Sequence, residues 1–224
     1  MILPQSLAYD FLLFCVRNPK PCPILDITDM GDYEPKRVAK GADLRTDLPL
    51  YRIFHQGKLV EEVTNIRSYW RDDFVAFLLG CSFSFEAAMI RAGLPVRHIE
   101  EGKNVPMYKT NIPCESAGVF KGFLVVSMRP LTPTQAIQSV QITSRFSKAH
   151  GAPIHIGNPS EIGVNLDSPD FGDSVTLKEG EIPAFWACGV TPQSVILESK
   201  PEMAITHAPG YMLITDIKDE TLVF

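Results

Sequence analysis

The stretch VVSMRPLTPTQAIQSV (Val125–Val140) passes from an apolar strand pattern through a tight turn into Thr-Pro and then an apolar helical pattern. AFWACGVTPQSVILES (Ala184–Ser199) repeats that order. Thr132 and Thr191 stand where an N-cap hydroxyl accepts an orphan N–H, and Pro133 and Pro192 follow at the first helical position, where a missing N–H costs nothing. Downstream the echo continues loosely, with HGAPIHI from His150 and HAPGYMLI from His207. It predicts a repeated strand, helix, strand unit. Strands alternating with helices point to an α/β class.

Working outward, Leu7, Phe11, Leu12 and Cys15 recur at helical spacing and Asn18-Pro19 supplies a stop, so a first helix is expected over about Pro4 to Arg17. A proline-rich connection follows, with one short strand at Ile24 to Ile27. YRIFHQGKLVEEVTNI alternates around Gln56-Gly57 as a hairpin should. Trp70, Phe74, Phe77 and Leu78 predict a helix from about Ser68 to Leu79, interrupted by Gly80. A second helix begins near Ser84 and ends at Gly93-Leu94-Pro95, with Ser84 as the cap and Glu86 complementing the dipole. Strands are expected at Val105 to Ile112 and Phe123 to Met128. The division expected is a larger layered α/β unit from residues 1–64 and 150–224, with a smaller α+β part from 65–149.

The 224 residues suffice for a substantial core. A net charge of -5 gives no electrostatic reason to expect nucleic acid or anionic lipid as a partner. Five scattered cysteines without a CxxC pair suggest neither a disulfide framework nor a cysteine zinc site, which favours a reducing cytoplasm. The early apolar run Phe11–Val16 is broken by Asp10 and Arg17, so no signal peptide or membrane span is expected. There is no GxSxG elbow, Walker loop, GxGxxG or HExxH, which disfavours a cofactor-bound or nucleotide-driven enzyme.

A strand end that leads into a capped helix presents unpaired N–H groups to an anion. Aligned on Thr-Pro, Arg129 and Cys188 correspond, just after the two strands. If both turns face one crevice, it offers a guanidinium, a thiol and two helix N-termini. In LLGCSFSFEAAM (Leu78–Met89), Cys81 and Ser82 precede the cap and are not needed by it. The span from Arg97 to Cys114 crowds His98, Glu100, Glu101, Asn104, Lys109 and Asn111 together, a density that suits either acid/base work or a solvated loop.

The runs RNPKPCP (Arg17–Pro23), GADLRTDLP (Gly41–Pro49), WRDDFVAFLLGCSFSFE (Trp70–Glu86), RHIEEGKNVPMYKTNIPC (Arg97–Cys114), FWACGVTPQ (Phe185–Gln193) and ITHAPGYMLITD (Ile205–Asp216) resemble the D-glutamate cyclase family. The likeness spans essentially the whole chain. It implies a two-part α/β architecture and a hydro-lyase that closes D-glutamate to 5-oxo-D-proline with loss of water, with no metal or nucleotide demanded. In that scheme Arg129 and the Thr132 or Thr191 turns hold carboxylates, with Asn111 and Cys188 as further substrate contacts. His98 or His207 accepts the amine proton, and Glu100 or Glu101 in acid form assists loss of water. The family's glycine-rich segment upstream of the first helix has no counterpart before Met1, an absence expected to remove part of the site and to favour self-association. Three other readings stay open: a hydro-lyase that removes water from a hydroxy acid by proton abstraction and acid-assisted loss of hydroxide, a carboxylate-binding or regulatory protein without turnover, and a nucleophilic thiol at Cys81 or Cys188.

Overall fold

Residues three and four apart stack on one helix face, so Phe11, Phe14 and Cys15 bury together. In the computed structural model, which describes residues 1–223, that helix is α1 (Gln5–Arg17), preceded by β1 (Ile2–Pro4). It stops at Asn18, whose side chain donates to the Phe14 and Glu115 carbonyls at 2.8 Å each and accepts the Glu115 N–H. β2 (Ile24–Ile27) follows, then the expected hairpin of β3 (Tyr51–His55) and β4 (Lys58–Val63). Gln56 and Gly57 both take positive φ, 47° and 72°, the geometry that matches strand twist in a two-residue turn.

The helix expected over Ser68 to Leu79 is not formed; Phe74–Leu79 is a strand, β5. Phe74 and Ala76 pack into one apolar cluster, whereas Val75 and Phe77 pack into another. With both faces covered every position is apolar, and the period of two that marks a strand disappears from the sequence.

The remaining elements are α2 (Phe83–Arg91), a short α3 (Arg97–Glu100), β6 (Met107–Pro113), β7 (Phe123–Leu131), α4 (Pro133–Thr143), β8 (His155–Ile156), β9 (Ile182–Ala187), α5 (Thr191–Ser199) and β10 (Met203–His207). They complete a mixed α/β fold with two sheets, ordered β2-β5-β1-β10-β3-β4 and β6-β7-β9-β8, in which every neighbouring pair is antiparallel. Residues 65–149 contribute β5 to the first sheet and β6 and β7 to the second. A shared core joins the sheets, with Leu3 and Phe77 from the first, Val126 and Phe185 from the second, and Phe11, Phe14 and Val195 from the helices between.

The echo holds as strand, turn and helix, but its consequences differ from expectation. β7 and β9 lie side by side with Val126 opposite Ala187 and Leu131 opposite Ile182, so α4 and α5 leave the sheet at opposite ends. Their N-termini cannot share a crevice. Thr132 caps α4 in a capping box with Gln135. Thr191 does not cap: it is the first residue of α5, and its hydroxyl donates to the Cys188 carbonyl at 2.8 Å and accepts the Val125 N–H at 3.0 Å. That N–H lies just past the end of β9, and the hydroxyl satisfies it where the strand stops. Ser84 is likewise inside α2 rather than its cap.

Candidate active site

A cavity of about 600 Å³ opens where the turns after β5 and β9 meet. Each turn couples a six-residue strand to a nine-residue helix through a glycine and a cysteine, Gly80-Cys81 before α2 and Cys188-Gly189 before α5. The close approach needs Gly80, whose Cβ would lie 1.8 Å from the Lys148 carbonyl oxygen, whereas a Cβ on Gly189 would meet the Gly80 carbonyl oxygen at an ordinary 3.6 Å. The pair of helix N-termini on one cavity is thus α2 and α5. Cys81, Ser82, Cys188, Gln193 and His207 line it, and no lysine or arginine does among the described residues. Backbone N–H groups of Phe83 and Ser82 reach the Cys81 sulfur, and that of Val190 reaches Cys188. Burial outweighs them, raising Cys81 and pushing Cys188 up to about 12, so both thiols stand protonated at neutral pH.

Behind Ser82 lies a buried ionic cluster. Arg129 is inside β7, not after it, because β7 continues in register to Leu131. Its guanidinium is fully buried, packed 5.2 Å from the Phe85 ring and 5.3 Å from the Trp186 ring, and so is no surface cation. It pairs with Glu86 and donates to Ser127 Oγ at 3.1 Å and Ser82 Oγ at 3.4 Å. His98 Nε2 stands 3.4 Å from the same Glu86 oxygen, and its ring stacks on Phe83. Burial pushes the Glu86 carboxyl up, but the Arg129 charge and the His98 and Arg129 bonds outweigh this and hold it below its ordinary value. Ser82 thus lines the cavity while its hydroxyl accepts from a buried guanidinium paired with Glu86.

His150 sits behind Gly189, with Nδ1 2.6 Å from the Lys20 carbonyl oxygen and Nε2 unpartnered. The carbonyl fixes Nδ1 as the donor and leaves Nε2 as an acceptor. His207 is held the same way, Nδ1 to the Ala208 carbonyl at 2.6 Å. Burial lowers both imidazoles to about 4. A lowered histidine is protonated first in the unfolded chain, so its stability contribution is full above about pH 6.5 and is lost as pH falls towards 4. For His150 the loss is on the order of 3 kcal/mol by pH 4. Urea midpoints measured between pH 7 and 4 should fall steeply for the native chain and less for His150→Asn, which tolerates the φ of 78° at that position. Equal slopes would refute the assignment.

The other residues singled out from sequence are dispersed. Glu100 is half-exposed and paired with Arg97 at 3.0 Å. Glu101 is bonded to Lys103 and the Thr176 N–H, which hold it down to about 2, so it stays a carboxylate. Neither lines the cavity; nor do Asn111, exposed on β6, Thr132 or the buried Thr191. Cys81, Cys188 and His207 do, and His98 and Arg129 stand one layer behind. Sequence reasoning missed Glu86, Ser127 and His150 as site residues. Only Glu86 left a signal, as the acid in the first turn of a helix, two residues after Ser84.

A model of the D-glutamate cyclase family matches residues 75–216, a span that contains both cysteine turns and the whole ionic cluster. The chain belongs to the D-glutamate cyclase family. Relatives named "Putative hydro-lyase" occur in Thermoanaerobacter sp. strain X514, 66% identical over 99% of this chain and 84% of the relative, and in Natranaerobius thermophilus, 63% identical over 98% and 84%. A third, from Psychrobacter arcticus, is 62% identical over 99% of this chain and 85% of its own length. For this D-glutamate cyclase family member, no helix among the described residues is long and apolar enough to cross a membrane. Nor does any group of three or more His, Cys, Asp or Glu stand placed to hold a metal ion among them.

Proposed function

We propose that this chain is a hydro-lyase acting on a small amino-acid carboxylate, and that its reaction is the closure of D-glutamate to 5-oxo-D-proline. The observation that carries the reading is the convergence of the α2 and α5 N-termini on one cavity without lysine or arginine. The positive ends of two helix dipoles favour two carboxylates, and binding both folds the substrate into the attacking conformation, so the ring closes with the advantage of an intramolecular step.

In the reaction the amine nitrogen bonds to the distal carboxyl carbon, and one carboxyl oxygen leaves as water with two protons from the ammonium group. His207 Nε2, neutral at working pH, accepts a proton from the amine. The Ser82 hydroxyl bonds the departing oxygen, and the Arg129 guanidinium 3.4 Å behind it lowers the cost of charge there.

Incubation without added cofactor with D-glutamate, L-glutamate and a panel of hydroxy and amino dicarboxylates, followed by mass spectrometry, tests this. D-Glutamate should lose one water to give 5-oxo-D-proline, and Ser82→Ala should lower kcat by roughly 100-fold. Water loss from a hydroxy acid instead would reassign the substrate. Turnover of none would overturn the enzyme reading.

A further inference from the structure

We propose that Cys81 and Cys188 form a paired-thiol proton relay that exchanges and inverts the α-hydrogen of an amino-acid carboxylate held between them. From the reading above it takes only the cavity and the substrate class.

The two cysteines are structural counterparts. Each follows a six-residue strand within two residues, each precedes a nine-residue helix, and each sulfur is approached by backbone N–H from the start of its own helix, Ser82 and Phe83 for Cys81 and Val190 for Cys188. Both line the same cavity, approaching it from different sheets. Behind Gly189, outside the lining of the cavity, lies a third group. His150 is 1% exposed, and its Nε2 has no partner and lies 3.8 Å from the point a Cβ on cavity-lining Gly189 would occupy.

The active form of the pair has lost one thiol proton to solvent; in it the Cys81 thiolate removes the α-proton and the electron pair stays on the α-carbon, delocalised into a carboxylate that faces the positive ends of the α2 and α5 dipoles. The Cys188 S–H then delivers its proton to the opposite face and becomes the thiolate. The reverse direction interchanges the sulfurs, and exchange with solvent resets them. No oxidant or reductant enters. Because burial raises both thiols, the thiolate that acts is a correspondingly strong base towards a carbon acid.

The test is incubation of the full chain in deuterium oxide with D-glutamate, L-glutamate and each enantiomer of 5-oxoproline, read by proton NMR and chiral mass spectrometry. Deuterium should appear at the α-carbon together with the opposite enantiomer. Cys81→Ser and Cys188→Ser, near-isosteric and checked for native unfolding midpoints, should each cut inversion at least about 100-fold. Each should keep deuterium wash-in on one enantiomer only, and on opposite ones, a signature that a merely structural cysteine would not produce. No deuterium in any of the compounds, or wash-in that survives the double variant, would overturn the relay. Water loss is read in the same spectra: loss of water without deuterium removes the relay and leaves the cyclisation, and deuterium without water loss does the reverse.

Discussion

Replacing Arg129 by methionine should destabilise the protein by roughly 3 to 5 kcal/mol, because it strands the Glu86 carboxylate in a buried site with only His98 beside it. Methionine fills much of the space beside Phe85 and Trp186, so the loss is electrostatic rather than a cavity. Adding Glu86→Leu should therefore recover most of the stability, since an apolar pair in place of a buried ion pair is often neutral. Urea unfolding of the two variants, with unchanged denaturant slope, checks this. A double variant no more stable than the single one would show that packing, and not the unpaired charge, was lost. Neither variant should turn over substrate if Ser82 needs the guanidinium behind it.

Gly80→Ala should be nearly as damaging for a steric reason. Its Cβ would fall 1.8 Å from the Lys148 carbonyl oxygen and 3.3 Å from a Pro23 side-chain carbon, and the carbonyl is backbone that cannot swing aside. Overpacking of this kind costs about 1 to 3 kcal/mol. The displacement also moves Cys81 on one side and His150 on the other, and a shift of about 1 Å at a site costs on the order of 100-fold in rate. Gly189→Ala is the matched control. A Cβ there meets nothing nearer than 3.6 Å, so its unfolding midpoint should stay close to that of the native chain. Equal unfolding behaviour of the two alanine variants would contradict the packing described for the turn pair.

How much of this was readable in advance depended on how far apart in the chain the deciding groups lie. α1, the Gln56-Gly57 hairpin, β2 and the Thr132 cap rest on neighbours within a few residues, and all four stand where the sequence places them. The resemblance carried by LLGCSFSFE and FWACGVTPQ likewise named the family before any coordinate was known. β5 was misread as a helix because burial on two faces erases alternation. The Thr191 hydroxyl was assigned to a cap when its partner is the Val125 N–H, 66 residues away.

The site follows the same division. The sequence determined that glycine-led turns carrying Cys81, Ser82 and Cys188 would start helices, since turn chemistry and capping are local. Only the tertiary structure decided that the α2 and α5 turns, and not those of α4 and α5, face each other, because strand order and antiparallel register fix where each helix leaves its sheet. It also decided that Arg129, expected to hold a substrate carboxylate, is buried against Glu86 across 43 residues of chain. A charge on an apolar strand cannot be buried without a partner, and which acid the fold brings to it is a property of the packing, not of any local spacing.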